Sequence, residues 1–344
     1  MLIFWFTRIN EPGSFLILFR LERKKMQAKL SRARMIAAYA PGSVSNVACG
    51  FDVLGFAMDE PGDIVIAGQK DDPGVRIEKI HGDGGRLPLD PAKNTAGAAA
   101  LALLQRLETT RGVTLTIHKG LPLASGVGSS GASAVAAVVA VNELLGRPAS
   151  LDLLLTCAMV GEQAGCGATH PDNVAPSLYG GFILARSANP PDIVRLPVPE
   201  GLACAVLHPH VEIETGAARA LLGETVPLRD AVRQWGNLGG LVAALFTNDR
   251  ALLSRSLEDV IAEPKRAGLV PGFFDIKAAA LAAGALGCSL SGSGPSVFAL
   301  AGSLEDAQRA GDAMVKAFAS ASNVGADLWV SLVGRQGARV VSRP

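Results

Sequence analysis

The sequence predicts an α+β protein built from two domains. The chain has 344 residues, which is enough for two ordinary domains. Short β-branched segments and longer helical segments are mixed along it, as expected for α+β architecture. A proline-spaced segment from Pro190 to Pro199 indicates a boundary. We therefore expect an N-terminal domain over residues 35–195, a C-terminal domain over 196–335 and a tail over 336–344.

The N-terminal domain is predicted to begin with strands and to continue with helices. Alternating and β-branched patterns predict strands over Val53–Met58, Asp63–Gly68, Arg76–His81, Val113–Lys119, Gly180–Arg186 and Ile193–Leu196. Helical patterns cover Asn94–Thr109, Ser130–Leu145 and Leu151–Ala164. Asn94 and Ser150 are natural N-caps for the first and third of these helices. The second is apolar on every side, which predicts a buried helix.

The C-terminal domain shows a different order of elements. Strands are predicted over Ala203–His208, Cys288–Leu290, Ser296–Ala301 and Leu328–Val333, and helices over Gly216–Gly223, Leu228–Phe246, Arg250–Ile261 and Phe273–Ala283. Ser303 and Asp306 form a capping-box pattern that opens a last helix ending at Ala319. The order strand–helix–strand–strand–helix–strand is typical of a ferredoxin-like domain.

The charge balance excludes several classes of partner. Lysine and arginine number 32 and aspartate and glutamate 31, a formal net charge of +1. No bulk field therefore favours nucleic acid or an anionic membrane, and we expect neither as a partner. The five cysteines show no metal-binding or disulfide spacing, which favours a reducing cytoplasm.

Two long uncharged stretches raise the question of membrane spans. They cover residues 120–142 and 278–304 and would exceed the usual length threshold. Both contain Gly/Ser-rich turns, which would leave backbone groups unsatisfied in lipid. We therefore interpret each as buried structure interrupted by a glycine-rich loop.

The first 34 residues differ from the rest. A short apolar run, Phe15–Phe19, is followed rather than preceded by most of the basic residues, unlike a signal peptide. We interpret this segment as a disordered extension or an upstream start, with Met26 or Met35 as the true beginning. A transit peptide or a membrane-surface arm is the alternative.

A Gly/Ser-rich loop between a predicted strand and a predicted helix is the strongest local motif. It runs from Pro122 to Ser133 as PLASGVGSSGAS. Glycines allow successive N–H groups to converge on an anion, and the helix N-terminus adds positive potential. The Gly-Lys-Ser/Thr ending of a Walker A loop is missing. A plain strand-to-helix turn is the alternative interpretation.

Two further loops place polar residues between apolar segments. The first, Ala40–Asp52, contains Asn46 and Asp52, which could also be simple turn residues. The second, Ser291–Ser296, is rich in glycine and serine and could form the wall of a polar pocket.

Together, and in this order, the three loops resemble the three motifs of the GHMP small-molecule kinases. The segment Glu162–Gly181, with His-Pro-Asp-Asn-Val-Ala-Pro and Gly-Gly-Phe, is similar to the homoserine kinase group of that family. Thr215, Arg219 and the segments 263–266 and 269–273 fit the same group. The resemblance covers about residues 36–334.

The resemblance implies a two-domain GHMP kinase fold. The N-terminal domain would be like domain 2 of ribosomal protein S5, and the C-terminal domain would be ferredoxin-like. The implied reaction is ATP-dependent phosphorylation of the L-homoserine side-chain hydroxyl to O-phospho-L-homoserine, in threonine biosynthesis. A cytoplasmic homodimer that needs ATP and Mg²⁺ is also implied.

By the same resemblance, one group of residues would bind ATP. The phosphates would lie on Pro122, Leu123, Ala124, Ser125, Gly126, Val127, Gly128, Ser129, Ser130, Gly131 and Ala132. Mg²⁺ would bind Ser130 and Glu162, an oxygen pair suited to a hard cation. Asn94 would lie near the base, or it would be only an N-cap.

A zwitterionic substrate needs groups of both charges. Asn46 and Asp52 would bind the ammonium, and Arg219 and Arg266 the carboxylate, to which a guanidinium can donate two parallel bonds. Thr215 also belongs to the implied substrate site.

For catalysis, Asn173, His170 and Glu162 would act at the reacting groups. Asn173 and His170 would orient the substrate without a strong general base, while Asp172 is the alternative base.

The sequence departs from the family pattern at two positions. Ala48 stands where glycine is common, and Gly216 stands where a basic residue is common. Two alternative functions stay open: a GHMP kinase for another hydroxyl substrate, and a catalytically silent GHMP-fold binding protein.

Overall fold

Two β-sheets organise the chain, one in each predicted domain. A computed structural model describes residues 35–167 and 169–342. The predicted extension, residues 1–34, lies outside the described residues. Within the described ranges, none of the helices combines the length and the apolar content that crossing a membrane requires.

The N-terminal domain contains a seven-stranded sheet with helices packed against it. Its strands are β1 (Met35–Ser45), β2 (Leu54–Lys70), β3 (Gly74–His81), β4 (Gly112–His118), β5 (Phe182–Ala188), β6 (Pro191–Leu196) and β11 (Arg339–Ser342). Its helices are α1 (Thr95–Arg106), α2 (Ser129–Leu144), α3 (Leu151–Cys166) and α4 (Pro171–Tyr179). The strand order is β11-β1-β2-β4-β3, and β5 pairs with both β2 and β6.

The predicted buried helix is α2, which lies in the core of this domain. Alanine and valine make up most of its length, and nearly all of them are buried. Small side chains let the helix approach the sheet and the neighbouring helices closely, so the first long uncharged stretch is explained by packing. The helix start is consequently fixed in place beside the end of β4.

The C-terminal domain is a four-stranded antiparallel sheet covered by helices. Its strands are β7 (Ala203–Pro209), β8 (Gly287–Leu290), β9 (Val297–Ala301) and β10 (Ala326–Leu332). The helices are α5 (Thr215–Ala220), α6 (Leu228–Thr247), α7 (Arg250–Ser256), α8 (Glu263–Arg266), α9 (Phe273–Ala282) and α10 (Leu304–Ala321). The order β10-β7-β9-β8 confirms the predicted ferredoxin-like arrangement.

Several elements differ from the sequence prediction. The first two predicted strands are one strand, β2, whose two halves pair with different neighbours. Helix α4 was not predicted, because proline occurs both at its start and at position 176 inside it. The helix predicted over 250–261 ends at Ser256, because Asp259 then accepts bonds from the backbone N–H groups of 261–263.

The end of the chain returns to the N-terminal domain. Residues 336–344 were expected to form a tail, but β11 pairs antiparallel with β1, with Val340 opposite Ala38. Arg339 lies over the ring of Tyr39, 4.6 Å from its centre, which adds a cation–π contact to the pairing.

Candidate active site

The Gly/Ser-rich loop joins β4 to α2 and ends in a left-handed residue. We call residues 122–128 the phosphate loop. Gly128 is the N-cap of α2 with φ of +68°, and having no side chain it leaves the first N–H groups of the helix without a capping partner. A Cβ at Gly128 would lie 2.2 Å from Ser43 Oγ, so glycine is required there. Uncapped N–H groups and the positive end of a helix dipole are the features that favour an anion.

The third loop of the sequence pattern holds the phosphate loop from the other domain. Ser291 Oγ donates to the Gly126 carbonyl at 2.7 Å, and Ser296 Oγ donates to the Ser125 carbonyl at 2.6 Å. Since two of its carbonyl groups are bonded from outside, the loop is fixed by the C-terminal domain.

A buried carboxylate lies beside the start of α2. Ser130 Oγ donates to Glu162 Oε1 at 3.0 Å, and His170 Nδ1 lies 3.8 Å from the same oxygen. The neighbouring Glu162 carboxylate raises the pKa of His170. The other oxygen, Glu162 Oε2, is buried without any hydrogen-bond partner. An unpartnered buried carboxylate oxygen is rare, and it fits a cation ligand.

Helix α4 directs its first residues towards the phosphate loop. The amide oxygen of Asn173 would lie 3.4 Å from a Cβ at Gly128, so it faces the end of the loop. Asp172 is buried, and its Oδ1 has no partner. Burial, and next the charge of Asp52, raise the pKa of Asp172 to about 7.

The loop after β1 forms a second part of the candidate site, next to Gly292. Asn46 Nδ2 donates to the Gly292 carbonyl at 2.8 Å, while Asn46 Oδ1 accepts from the Asp52 backbone N–H at 3.0 Å. Asn46, Val47 and Ala48 have φ values of +68°, +43° and +57°. This conformation is costly for residues other than glycine. Ala48, which stands where the GHMP kinases often have glycine, therefore bears this cost.

Two arginines and an aspartate meet at this wall. Arg219 Nη2 donates to both oxygens of Asp52, at 2.9 and 2.8 Å. Arg266 is buried, and its Nε donates to the Ala218 carbonyl at 3.0 Å. Burial, and next the charge of Arg219, lower the pKa of Arg266. The structure therefore brings Asp52, Arg219 and Arg266 together.

The remaining predicted residues lie at the edges of this arrangement. Thr215 is the exposed first residue of α5, the helix that carries Arg219. Gly216 follows it, and a Cβ there would meet nothing within 4 Å. Asn94 is an N-cap: its side-chain oxygen accepts from the N–H groups of Ala96 and Gly97.

Phe51 is a site residue that the sequence reasoning missed. The guanidinium groups of Arg219 and Arg266 lie 5.5 and 5.2 Å from the centre of its ring. An aromatic face at this distance attracts both cations. The only available signal was its position directly before Asp52.

Gln234 and Asp259 were also missed. Gln234 Nε2 donates to the Cys49 carbonyl and to Asp259 Oδ1, each at 3.0 Å. These bonds fasten the loop of Asn46 and Asp52 to α6. Nothing in the sequence around Gln234 indicates this contact, because the two segments are far apart in the chain.

A Gly/Ser-rich loop before a buried helix, a carboxylate with two guanidinium groups, and an α/β domain joined to a ferredoxin-like domain together fit a small-molecule kinase. The family models for the GHMP kinases N terminal domain and the GHMP kinases C terminal domain match residues 94–181 and 241–320.

Relatives and solved structures agree with this class. A homoserine kinase of Chlorobium phaeovibrioides is 51% identical over 319 residues, covering 90% of this chain and all of the relative. The crystal structure of homoserine kinase from Cytophaga hutchinsonii has a TM-score of 0.87 and 53% identity, covering 90% and 98% of the two chains. The crystal structure of L. major mevalonate kinase, with a TM-score of 0.65, 18% identity and coverage of 88% and 98%, shares the fold. The chain belongs to the homoserine kinase family of the GHMP kinases.

Proposed function

We propose that this protein transfers the γ-phosphoryl group of ATP to the side-chain hydroxyl of L-homoserine. One observation carries the proposal: Asp52, Arg219 and Arg266 lie together, and Arg266 Nη1 donates at 3.4 Å to the carbonyl of Gly292, which directly follows the Ser291 that bonds the phosphate loop. A carboxylate and two guanidinium groups complement an ammonium and a carboxylate on one small molecule. An uncharged sugar offers no charged partner to these groups, so it would gain none of these charge-assisted bonds.

Binding of the zwitterion would exchange one ion pair for two. The ammonium group of the substrate would bind Asp52 and the amide oxygen of Asn46, and its carboxylate would bind Arg219 and Arg266. Since Asp52 and Arg219 are both partly exposed, their mutual pair is worth about 0–1 kcal/mol. Splitting it therefore costs little.

Asn173 and His170 would orient the hydroxyl towards the phosphoryl group. Asn173 faces the end of the phosphate loop, which is where the transferred group would lie. Phosphoryl transfer depends mainly on positioning and on charge neutralisation. We propose that no strong general base acts here; Asp172, with its raised pKa, is the alternative base.

Glu162 and Ser130 would hold Mg²⁺ bound to ATP. The unpartnered Glu162 Oε2 supports this role. Among the described residues no cluster of three or more His, Cys, Asp or Glu could hold a metal, so phosphate oxygens and waters would complete the ligand set, as is usual for Mg²⁺. When bound, the ion neutralises phosphate charge. We also propose that Asn94 lies near the adenine base of ATP.

We also propose that the protein is a cytoplasmic homodimer. Helix α6 exposes Leu228, Val232, Trp235 and Phe246, at 71%, 55%, 61% and 63%. Their spacing places them along one side of the helix. Such an exposed apolar stripe marks an interaction surface. Sedimentation velocity should show a dimer for the wild type and a monomer for Trp235→Glu; equal sedimentation of the two would exclude this surface.

ADP release from ATP and Mg²⁺ tests the main proposal. L-homoserine, mevalonate and galactose are offered separately. Turnover with homoserine only is the expected result. Turnover with another acceptor and none with homoserine would favour a different GHMP kinase. Saturable ATP binding without turnover of any acceptor would favour a catalytically silent binding protein.

A further inference from the structure

A buried ion pair lies beneath the phosphate loop, outside every motif described above. Lys119 directly follows β4, and Asp63 lies in the middle of β2. Their side chains are 2% and 0% exposed. The two groups are in direct contact, and Ser133 from the second turn of α2 contacts both.

The hydrogen bonds of this group reach both ends of the phosphate loop. At the beginning of the loop, Asp63 Oδ1 accepts from the backbone N–H groups of Gly120 and Leu121, at 2.9 and 3.2 Å. At its end, Lys119 Nζ donates to the carbonyl of Ser129 at 2.8 Å. The loop therefore begins and ends on the same ion pair.

Every polar atom of the group has a partner. Lys119 Nζ donates to Asp63 Oδ2, to the Ser129 carbonyl and to Ser133 Oγ, which uses its three hydrogens. Ser133 Oγ in turn donates to Asp63 Oδ2 at 2.6 Å. A fully bonded buried network has one defined geometry.

Stability alone is a weak reason for such a pair. Taking two charges out of water is costly, and apolar residues of similar volume are often as stabilising or more so. An apolar replacement, however, could not bond the backbone at 120, 121 and 129. What the ion pair supplies is a fixed distance between the two ends of the loop.

We propose that Asp63, Lys119 and Ser133 are positioning residues for the nucleotide, and we call them the loop clamp. By fixing both ends of residues 122–128, the clamp keeps the N–H groups at the start of α2 directed at the phosphates. Preorganised donors bind an anion more tightly than donors that must first be ordered. The loop that carries Asn46 and Asp52 is held by other bonds, which the side chains of Asn46 and Gln234 donate. The clamp should therefore act on nucleotide affinity and not on homoserine affinity.

Ser133→Ala is the mildest test, because it removes one hydroxyl and leaves the ion pair in place. We expect the Kd for ADP, measured by isothermal titration calorimetry, to rise about fivefold, and the KM for homoserine to stay within twofold. The double variant Asp63→Asn/Lys119→Met removes the charges together and the bond to Ser129. For it we expect a rise in the ADP Kd of about tenfold or more.

Ser331→Ala is the matched control. Ser331 is also buried, and its hydroxyl accepts from the Asp59 N–H at 2.8 Å and donates to the Leu332 carbonyl at 2.8 Å. It should lower the Tm by a similar amount as Ser133→Ala without changing the ADP Kd.

An unchanged ADP Kd in Ser133→Ala, with a Tm loss equal to that of the control, would show that the clamp serves stability only. A homoserine KM that rises as much as the ADP Kd would also overturn the proposal. If the double variant does not fold, Ser133→Ala decides the question alone. The inference rests on nucleotide binding by the phosphate loop, which is part of the proposed function. Because ADP binding needs no acceptor, failure to phosphorylate homoserine would not be mistaken for failure of the clamp.

Discussion

Replacing Arg219 by alanine should weaken homoserine binding selectively. In the wild type, a guanidinium–carboxylate contact with the substrate is worth about 1.5–3 kcal/mol. Against this, the wild type must break the Asp52–Arg219 pair, which is worth about 0–1 kcal/mol at its exposure. The variant has no pair to break, so the net loss is about 0.5–3 kcal/mol. At 1.4 kcal/mol for each factor of ten, the KM for homoserine should rise about 2- to 140-fold.

The assay is steady-state ADP release with each substrate varied in turn. The KM for ATP should stay within about twofold, because Arg219 has no contact with the phosphate loop. Arg219→Lys should give an intermediate KM for homoserine, since lysine keeps the charge and loses the planar fork.

Arg233→Ala is a matched control in the same domain. Arg233 Nη2 donates to both oxygens of Glu258, each at 2.7 Å, which is the geometry of the Arg219–Asp52 pair away from the site. Both KM values should stay at the wild-type level. Equal rises of the two KM values in Arg219→Ala, or a rise in homoserine KM for Arg233→Ala, would refute the carboxylate-binding role.

Three more variants test other parts of the site. Phe51→Leu should raise the KM for homoserine about 5- to 30-fold and leave that for ATP unchanged, because two cation–π contacts are lost and each is worth about 0.5–1 kcal/mol; a rise in the KM for ATP instead would contradict this. Gly128→Ala should abolish measurable ADP binding in calorimetry, whereas Gly84→Ala, at φ of +65° with nothing within 4 Å, should bear the same backbone strain and bind ADP normally. Asp172→Asn should raise the Tm relative to wild type more at pH 8 than at pH 5. The pKa of Asp172 is about 7 in the folded protein and about 4 in the unfolded chain. The wild type therefore loses stability as the pH rises between these values, by about 2–3 kcal/mol from pH 5 to 7. A pH-independent difference in Tm would refute the burial argument.

Regular elements were the predictable part of the fold. Helices α1 and α3 begin after Asn94 and Ser150, because each side-chain oxygen accepts a backbone N–H of the first turn, and such caps are visible in sequence. The ferredoxin-like order was equally visible. Helix α4 was not, because Pro171 and Pro176 normally argue against a helix interior. The pairing of β11 with β1 joins distant parts of the chain, and local patterns carry no information about it.

A local motif was enough to place the loop between β4 and α2, because its glycines and its position before a helix are visible in sequence; the left-handed conformation of Gly128 was not predicted. Arg219 and Arg266 entered only through the family resemblance, since an isolated arginine has no distinguishing pattern. Phe51, Asp63 and Lys119 were missed, because their contacts join residues remote in sequence. The individual roles of the site residues stay predictions until the variants are measured.

The bonds from Ser291 and Ser296 to the phosphate loop have a consequence for how this enzyme family can be recombined. The shape of the phosphate loop depends on both domains, because the carbonyl groups of residues 125 and 126 accept hydrogen bonds from the C-terminal domain. A chimera that joins this N-terminal domain to the C-terminal domain of a relative would exchange the proposed substrate residues Arg219 and Arg266 and disturb the loop at the same time. New acceptor specificity is therefore reached more directly by changing single side chains around Asp52 than by exchanging whole domains.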